Sequence, residues 1–424
     1  MSAVSAVQPP PVRRKRTTPA MLERATLARV LPQAHVDAQR AADRFDALPT
    51  AQAQMALARD IVTSRARELT LAYRNVAAVL VGYKARTGAS GEELHPLPCV
   101  VFVVKRKWTV PEEGAADQRL PERLLVHGGV QVGAGADSTE RVLYAVPTDV
   151  QPAHRYLGAR AQSAGCISVA DPDPVCNLPG TLTCWVSIHN QAGGAQQRVA
   201  LSAMHVLSPV PLSASPAHGA EFSALGGSSV VRGTTLRWGG RMDPSTGQAF
   251  DAQCAAVAGS AWLDGAYAGW QLSAADPFLT SPAALDRLAP HTVFRILVAD
   301  NHPAAGGTAR PPVLAQFRAM VGPETDIDYQ VRRDGHRFEV PLHHAELIVL
   351  QLQPDAAPTL SGDSGSAVLA LNADGTVVLV GMHIAGGKGL SFVLPAWQLF
   401  DPARWCALPA GTVALVPSFN HGLN

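Results

Sequence analysis

Residues 359–368 read Thr-Leu-Ser-Gly-Asp-Ser-Gly-Ser-Ala-Val, which places Ser364 directly after an aspartate and between Gly362 and Gly365. An apolar, β-type run follows over residues 367–371. Because glycine permits tight turns and close approach to a ligand, the stretch predicts a strained turn that presents a hydroxyl and then enters a strand. The amides of Gly362 and Ser364 can point into one small space, as an oxyanion hole requires. An ordinary surface turn uses the same residue types, so a histidine and an aspartate upstream must decide between these two interpretations.

The composition is that of a β-rich chain without a dominant charge. The chain has 424 residues, 47% of them hydrophobic and 16% charged, with a net charge of +1. This length suffices for two or three domains, and the charge balance gives no reason to expect nucleic acid or a membrane as a partner. Its 36 glycines and 33 prolines, with only 6% aromatic residues, predict many turns and short strands.

The amino-terminal residues and the cysteines bear on location. Residues 1–18 predict a disordered basic tail, because they contain Arg13-Arg14-Lys15-Arg16 but no apolar core of a signal peptide. The cysteines form no C-x-x-C pair and are too sparse for a disulfide framework or a zinc site, so buried free thiols and a cytoplasmic location are expected. They are Cys99, Cys166, Cys176, Cys184, Cys254 and Cys406.

Three further segments follow the tail. Residues 19–72 are rich in Ala, Leu, Arg and Gln with helical spacing of apolar positions, and predict a helical segment. Residues 73–152 contain Val-rich runs joined by glycine-containing links, and predict a small α/β domain. From about residue 160 short β-type runs alternate with turns, which predicts a mainly β domain.

A candidate base and a candidate acid lie upstream of the serine. His205 ends the run Val199 to Met204, which predicts a strand that closes with small residues. Asp251 opens the apolar run that follows Phe250, where a buried carboxylate can bind the proton-bearing nitrogen of an imidazole. The competing acids, which look like turn residues, are Asp243, Asp264 and Asp276.

Together these motifs resemble the trypsin/chymotrypsin family of serine peptidases. Gly-Asp-Ser-Gly-Ser is similar to the family's nucleophile loop, and the strand ending at His205 to its histidine motif, although Val206 replaces the usual cysteine. Asp251 follows His205 at about the family's spacing. The resemblance covers roughly 160–415 and, with Pro179 to Trp185 and the Val-rich front segment, looks like a non-secreted branch that includes bacterial members and plant narrow-leaf-type proteins.

The resemblance implies a fold and a mechanism. The expected fold is a chymotrypsin-like double antiparallel β-barrel, with a first barrel over about 160–260, a second over about 310–400 and a closing helix after Leu394. Phe294 to Met320 shows no family pattern and is expected to be an inserted or diverged loop. The implied activity is that of a trypsin-like serine endopeptidase, with Ser364, His205 and Asp251 as a catalytic triad and the amides of Gly362 and Ser364 as the oxyanion hole.

The implied partners are a protein or peptide substrate and a possible regulatory protein acting through the front segments. Neither a cofactor nor a metal is implied. His343 and His344 lie on a predicted strand, where adjacent side chains point to opposite faces. The alternative function is a catalytically silent scaffold of the same fold that binds a protein partner.

The resemblance also places a specificity pocket. Pro358 falls at its floor, and the strand from His383 to Gly386 and the turn at Gly389 form its walls. Without a carboxylate at the floor a basic side chain would be desolvated without a partner, so a small or medium apolar residue is expected before the cut.

Two modes of activation remain open. In secreted relatives the aspartate before the nucleophile, here Asp363, pairs with a new amino terminus, which would fall at Ile167 in this chain. No basic processing site precedes Ile167, so the alternative is an intact chain in which Asp363 finds an internal cation or donors.

Overall fold

The computed structural model describes most of the chain, in the ranges 33–88, 91–104, 119–131, 139–152, 168–170, 180–191, 197–207, 219–223, 230–240, 248–257, 270–288, 292–298, 310–321, 325–333, 336–360, 362–387 and 389–419. Several sequence-based expectations lie outside these residues: the basic tail over 1–18, the start of the helical segment, Cys166 and Cys176, Ile167, and the competing acids Asp243 and Asp264.

The described part of the chain is mainly β. Its α-helices are α1 (Gln33–Asp46), α2 (Ala51–Ala72), α3 (Met204–Leu207), α4 (Pro282–Asp286) and α5 (Ala396–Leu399), and a 3-10 turn spans Pro402–Arg404. Among these described residues, no helix combines the length and the hydrophobicity needed to cross a bilayer.

The strands before the candidate acid are β1 (Val76–Gly88), β2 (Gly91–Val104), β3 (Arg123–Gln131), β4 (Thr139–Pro152), β5 (Ser168–Ala170), β6 (Cys184–Asn190), β7 (Gln197–Ser202), β8 (Gly219–Ser223), β9 (Val230–Gly239) and β10 (Gln248–Ala249). Those after it are β11 (Gln253–Val257), β12 (Val293–Ile296), β13 (Val313–Val321), β14 (Thr325–Arg333), β15 (His336–His344), β16 (Leu347–Leu352), β17 (Ala367–Leu371), β18 (Val377–Gly387), β19 (Leu390–Pro395) and β20 (Thr412–Ser418).

Six of these strands form a closed antiparallel barrel. The strand order is β12-β17-β18-β19-β16-β13, and the pairing of β12 with β13 closes it. The expectation that Phe294 to Met320 is a diverged loop is wrong, because this stretch contains β12 and most of β13. Strand β12 has only four residues, of which only Phe294 and Ile296 are buried, and Gln316 and Arg318 interrupt the apolar run of β13. A strand as short as β12, or one with polar residues inside its apolar run as in β13, shows little of the alternation by which strands are predicted.

A second sheet carries the candidate base and acid. Its seven strands are antiparallel in the order β20-β6-β7-β11-β9-β8-β5, so the carboxyl-terminal strand returns to pair with β6 after the expected closing helix, α5. Among the pairings of the described residues none joins β5 to β20, and the expected first barrel over 160–260 is therefore seen here as a sheet. Strands β10, β15 and β14 form a separate, smaller sheet.

The front segment is continuous with the barrel. Strand β1 pairs with β13 at Val81↔Met320 and Gly82↔Ala319, and β2, β4 and β3 extend the same sheet to ten strands. The helical pattern is confirmed from Gln33 onward, and α2 buries Met55, Ile61 and Leu69 in a cluster shared with β1 and β2. The boundary expected at residue 152 therefore does not separate two sheets.

The core joins the two large sheets. One cluster of buried side chains combines β6, β7 and β11 with β16, β17 and β18, so side chains from both sheets pack in one interior. Cys99, Cys184 and Cys254 are buried free thiols, as expected, and Cys406 is a free thiol that is partly exposed. Burial raises the pKa of the Cys99, Cys184 and Cys254 thiols, which keeps them protonated.

Candidate active site

His205 is held by the turn that follows β7. The strand ends at Ser202, and the small residue Ala203 accepts backbone hydrogen bonds from Val206 and Leu207, so His205 lies in the first turn of α3 rather than on the strand. Its side chain is 8% exposed. The small residues before the histidine thus serve to turn the chain sharply at the edge of the sheet.

Asp251 binds this histidine at two points. Its Oδ2 atom lies 2.6 Å from His205 Nδ1, and its Oδ1 atom accepts a hydrogen bond from the His205 backbone amide at 3.0 Å. The register explains the contact, because Gln253, the first residue of β11, pairs with Ser202, and Asp251, two residues before the strand, comes opposite the start of α3. Among the competing acids, Asp276 is described and is exposed.

The electrostatics of this pair favour an ionised carboxylate. Burial alone would raise the pKa of Asp251, but the charge of His205 and the two hydrogen bonds from that residue outweigh burial and lower it. Asp251 is 1% exposed, so its charge is compensated within the protein.

Ser364 sits in a turn that requires two glycines. Gly362 has φ = 100° and Gly365 has φ = 93°, both in the region that residues with a β-carbon rarely adopt. A β-carbon on Gly365 would lie 1.9 Å from the Thr181 carbonyl oxygen, so this position also admits glycine alone on steric grounds. Ser364 is fully buried, and its hydroxyl donates a long hydrogen bond of 3.4 Å to the Ile384 carbonyl.

The segment Gly180–Thr183 connects the serine turn to the histidine turn. The Thr181 amide donates to the Ser364 carbonyl at 2.7 Å, and the Thr181 hydroxyl donates to the Gly362 carbonyl at 2.9 Å. A β-carbon on Gly180 would lie 2.4 Å from Val206 and 2.9 Å from the Ser364 carbonyl oxygen. Gly180 is thus in contact with both the residue after His205 and the candidate nucleophile.

This connecting segment was not recognised in the sequence as part of the site. It was noted only because Pro179 to Trp185 resembles the family. The Ser202 hydroxyl donates to the Thr181 carbonyl at 2.7 Å, so the strand before His205 is tied to the same segment. No local sequence pattern predicts a contact such as that between Thr181 and Gly362, which are 181 residues apart.

Two amides of the serine turn have no hydrogen-bond partner among the described residues. The Asp363 amide donates to the Leu360 carbonyl and the Gly365 amide to the His383 carbonyl. The amides that donate to none of the described residues are those of Gly362 and Ser364. Two such donors on alternate residues of one tight turn are what an oxyanion hole requires.

Arg310 is the cation that binds Asp363. Its Nη1 atom lies 2.9 Å from Asp363 Oδ1, its Nη2 atom lies 3.3 Å from Oδ2, and the Leu360 amide donates to Oδ2 at 2.7 Å. The Asp363 side chain is 2% exposed and that of Arg310 is 10% exposed. Arg310 lies 53 residues before Asp363 and was missed in the sequence, because nothing near it marks it as a partner.

Of the residues assigned to the pocket, His383 and Gly386 lie close together, whereas Pro358 and Gly389 are exposed. Pro358 is exposed, and its carbonyl accepts a hydrogen bond from Arg310 Nη2 at 3.3 Å. His383 is fully buried on β18 with Nδ1 2.7 Å from Ser391 Oγ, and the side chains of His383 and Thr359 both approach Gly386. Gly389 has φ = 76° and open space around its Cα, at the turn between β18 and β19.

His343 and His344 point to opposite faces of β15, as expected. His343 is exposed, whereas His344 is fully buried and interacts electrostatically with Asp251 and His205. Burial, together with the neighbouring His205 and His343, lowers the pKa of His344 to about 4 although Asp251 acts in the opposite direction. A neutral histidine therefore lies behind the carboxylate.

No protein-family model matches the chain. No curated protein shows significant sequence similarity to it.

Proposed function

We propose that the protein is a serine endopeptidase. The observation that carries the proposal is the double contact between Asp251 and His205, in a turn that Gly180 joins directly to the Ser364 backbone. A buried carboxylate on Nδ1 leaves the other ring nitrogen of His205 as the base, and a serine in a glycine turn provides the hydroxyl. We interpret the barrel and the seven-stranded sheet as the two halves of a chymotrypsin-like fold.

In this mechanism Ser364 attacks the carbonyl carbon of a peptide bond. His205 takes the hydroxyl proton as the oxygen–carbon bond forms, and then gives the proton to the leaving amine as the carbon–nitrogen bond breaks. Water hydrolyses the resulting ester by the same sequence of proton transfers. Proton transfer by a positioned histidine contributes about 10²–10⁴-fold to the rate.

The serine turn supports the developing negative charge. The amides of Gly362 and Ser364 would bind the oxyanion, and each such donor contributes about 10²–10³-fold to turnover. Arg310 supports these donors indirectly, because it holds Asp363 and with it the backbone of the turn. Before attack the Ser364 hydroxyl must leave its long bond to Ile384 and donate to His205, a contact of the kind that tightens only in a substrate complex.

A silent scaffold is the second candidate. It is favoured by one observation, the complete burial of Ser364 with its hydroxyl turned to the Ile384 carbonyl. In the scaffold the same contacts would serve only to stabilise the junction between the sheets, and the surface around them would bind a protein partner.

A serine-directed fluorophosphonate probe distinguishes the two candidates. We expect the wild-type protein to be labelled once, on Ser364, and Ser364→Ala not to be labelled. Ser366→Ala is the matched control, because Ser366 lies in the same turn, is fully buried, and has a hydroxyl without a hydrogen-bond partner among the described residues. A folded wild-type protein that does not react, either intact or as a species beginning at Ile167, is a scaffold.

The substrate is proposed to be an intracellular protein, in keeping with the free thiols Cys99, Cys184 and Cys254. Mass-spectrometric comparison of new peptide termini in cells expressing wild type or Ser364→Ala would identify it. Termini that appear with both proteins are not products of this site.

A further inference from the structure

The imidazole of His383 lies in a narrow space beside the serine turn. A β-carbon placed on Gly386 would lie 3.2 Å from His383 Cε1 and 2.5 Å from Thr359 Oγ1, so the ring edge and the threonine hydroxyl approach the same point. The His383 backbone is bonded to the serine turn on both sides, since its carbonyl accepts from Gly365 and its amide donates to Ser366. A side chain that enters beside Ser364 along β18 therefore meets this ring.

One nitrogen of this ring is fixed and the other is not. Nδ1 lies 2.7 Å from the Oγ atom of Ser391. Ser391, on β19, pairs with Gly386 on β18. Nε2 is buried and has no hydrogen-bond partner among the described residues. Buried polar atoms in native proteins are nearly always paired, and the exceptions are concentrated at functional sites.

The charges around the His383 ring disfavour a charged substrate side chain as its hydrogen-bond partner. Burial and the neighbouring charge of His205 lower the pKa of His383 to about 3, so the imidazole is neutral. Arg310 reaches the Pro358 carbonyl at the expected floor of the pocket, and Asp363 already binds Arg310. A basic side chain would thus approach a guanidinium. A carboxylate would gain little from that guanidinium, which Asp363 already pairs, and because it can only accept hydrogen bonds it would fit only the tautomer with a proton on Nε2.

We propose that His383 selects a side-chain carboxamide, glutamine or the shorter asparagine, in the residue before the scissile bond. This inference rests on the proposed peptidase function and replaces the apolar pocket expected from Pro358. The carboxamide oxygen or nitrogen would pair with His383 Nε2, and the Thr359 hydroxyl would bind the other end of the amide.

A carboxamide fits whichever tautomer Ser391 selects. If the Ser391 hydroxyl donates to Nδ1, then Nε2 carries the proton and donates to the amide oxygen. If Nδ1 donates to Ser391, then Nε2 accepts from the amide nitrogen. An apolar side chain satisfies neither state, and a site built around hydrogen bonds rejects such analogues strongly because its own polar atoms are left unpaired.

The pocket must open for the substrate. Thr359 lies over Gly386 in a partly exposed loop, in which Pro358 is exposed. Rotation of the threonine side chain would remove the contact and leave the backbone of Pro358 and Leu360, which bonds Arg310 and Asp363, in place.

Peptides that differ only in the residue before the cut test the proposal. Glutamine and methionine have similar length, so we compare kcat/KM for Gln, Asn, Glu, Met and Arg in one otherwise constant sequence. We expect Gln or Asn to exceed Met by roughly 10²-fold or more, with Glu and Arg poor. Equal or better cleavage after Met would overturn the proposal. Dominant cleavage after Glu would also overturn it, because it would mean that a positively charged His383 binds a carboxylate.

His383→Leu removes the ring nitrogens and keeps the residue apolar. We expect the preference for Gln over Met to fall from about 10²-fold to near unity while cleavage after Met persists. Ser391→Ala frees Nδ1 and should reduce the preference for Gln without abolishing it. If His383→Leu does not fold, Ser391→Ala carries the test, and an unchanged preference in that variant contradicts the proposed role of the tautomer.

Fluorophosphonate labelling separates failure of this inference from failure of the proposed function. The probe has no residue before a scissile bond, so it reports Ser364 reactivity alone. A protein that is labelled but shows no preference for Gln or Asn refutes the pocket assignment only. A protein that is neither labelled nor active on any peptide refutes the peptidase itself.

Discussion

Asp251 holds both the side chain and the backbone of His205, with Oδ2 2.6 Å from Nδ1 and Oδ1 accepting from the backbone amide at 3.0 Å. The backbone bond prevents the carboxylate from rotating away from the ring. Because an ionised carboxylate can only accept, Nδ1 must carry a proton, and in the neutral ring the other nitrogen is then the acceptor. This is the tautomer that a general base requires.

Asp251→Asn should leave folding nearly unchanged and lower turnover by about 10⁴-fold, because an amide favours the opposite tautomer. The measurement is kcat on a cleaved peptide, with thermal unfolding as the check on folding. Asp276→Asn is the control, since Asp276 is exposed. If Asp251→Asn cleaves normally and Asp264→Asn does not, the acid has been assigned to the wrong residue.

Arg310→Met should reduce both stability and activity. It leaves the Asp363 carboxylate buried without its cation, which typically costs about 3–5 kcal/mol of unfolding free energy and would release the serine turn. Chemical denaturation and peptide turnover measure the two effects. Arg404→Met, at an exposed arginine, should change neither.

The double variant Arg310→Met with Asp363→Asn tests the pairing itself. Removing the unpaired charge should recover a large part of the lost stability, because the penalty of Arg310→Met arises from Asp363. Purely additive losses in the two single variants would show that the pair does not hold the turn.

The internal cation also bears on activation. Because Arg310 occupies the carboxylate that corresponds, in the proposed function, to the one bound by a new amino terminus in secreted trypsin-like peptidases, the intact chain should be active. Purified protein can be assayed while its mass is followed, and Ile167→Gly should retain full turnover. Activity that appears only as a species beginning at Ile167 accumulates, and that Ile167→Gly abolishes, would establish a conventional zymogen instead.

The front segment should not be removable from the barrel. A β-carbon on Gly82 would lie 2.3 Å from the Arg318 carbonyl oxygen, so Gly82→Ala should separate β1 from β13. The Arg318 guanidinium is buried and bonds Gln151 on β4 and Gln351 on β16, which ties the same junction. We expect Gly82→Ala to lower the unfolding temperature, and Gly387→Ala, where no atom lies within 4 Å of the added carbon, to leave it unchanged.

A truncated chain that lacks residues 1–152 provides the second measurement at this junction. It should be insoluble or unstable, because it exposes the end of β13 that pairs with β1 and leaves Arg318 without Gln151. Independent folding of the truncated chain with full activity would restore the expected separate α/β domain.

The site residues that the sequence marked are those whose local chemistry is unusual. Gly362 and Gly365 are required by positive φ angles within four residues of each other, and His205 follows small residues that form a sharp turn. The sequence around Arg310 and Gly180 contains no such pattern, because each residue acts through a contact with a residue far along the chain. Pairing across that distance is a property of the fold and not of any window of sequence.

The same limit explains the errors in the fold. Strands β12 and β13 were mistaken for a loop because one is too short and the other is interrupted by polar residues that bond elsewhere, as Arg318 does with Gln151. The pairing of β1 with β13 joins segments that look independent in composition. The sequence placed His383 in the pocket. It could not show that Ser391 Oγ lies beside Nδ1, or that Nε2 has no hydrogen-bond partner among the described residues.

Acid should destabilise the protein through its buried histidines before the carboxylates titrate. Burial lowers the pKa of His344 to about 4 and that of His383 to about 3, below the value of about 6.5 in an unfolded chain. The unfolded state therefore binds more protons as the pH falls below about 6.5, and stability that is fully present above that pH is lost toward pH 4. Each such histidine contributes a slope of about 1.4 kcal/mol per pH unit within this window.

Adjacent residues on β15 provide the matched test of that slope. His344→Leu should remove one histidine's share of the loss in unfolding free energy between pH 6 and pH 4.5, and His343→Leu, at the exposed neighbour, is the control for the substitution itself. Chemical denaturation at several pH values within this window gives both slopes directly. Parallel curves for wild type and His344→Leu would mean that His344 is protonated in the folded protein, and that a positive charge rather than a neutral ring lies behind Asp251.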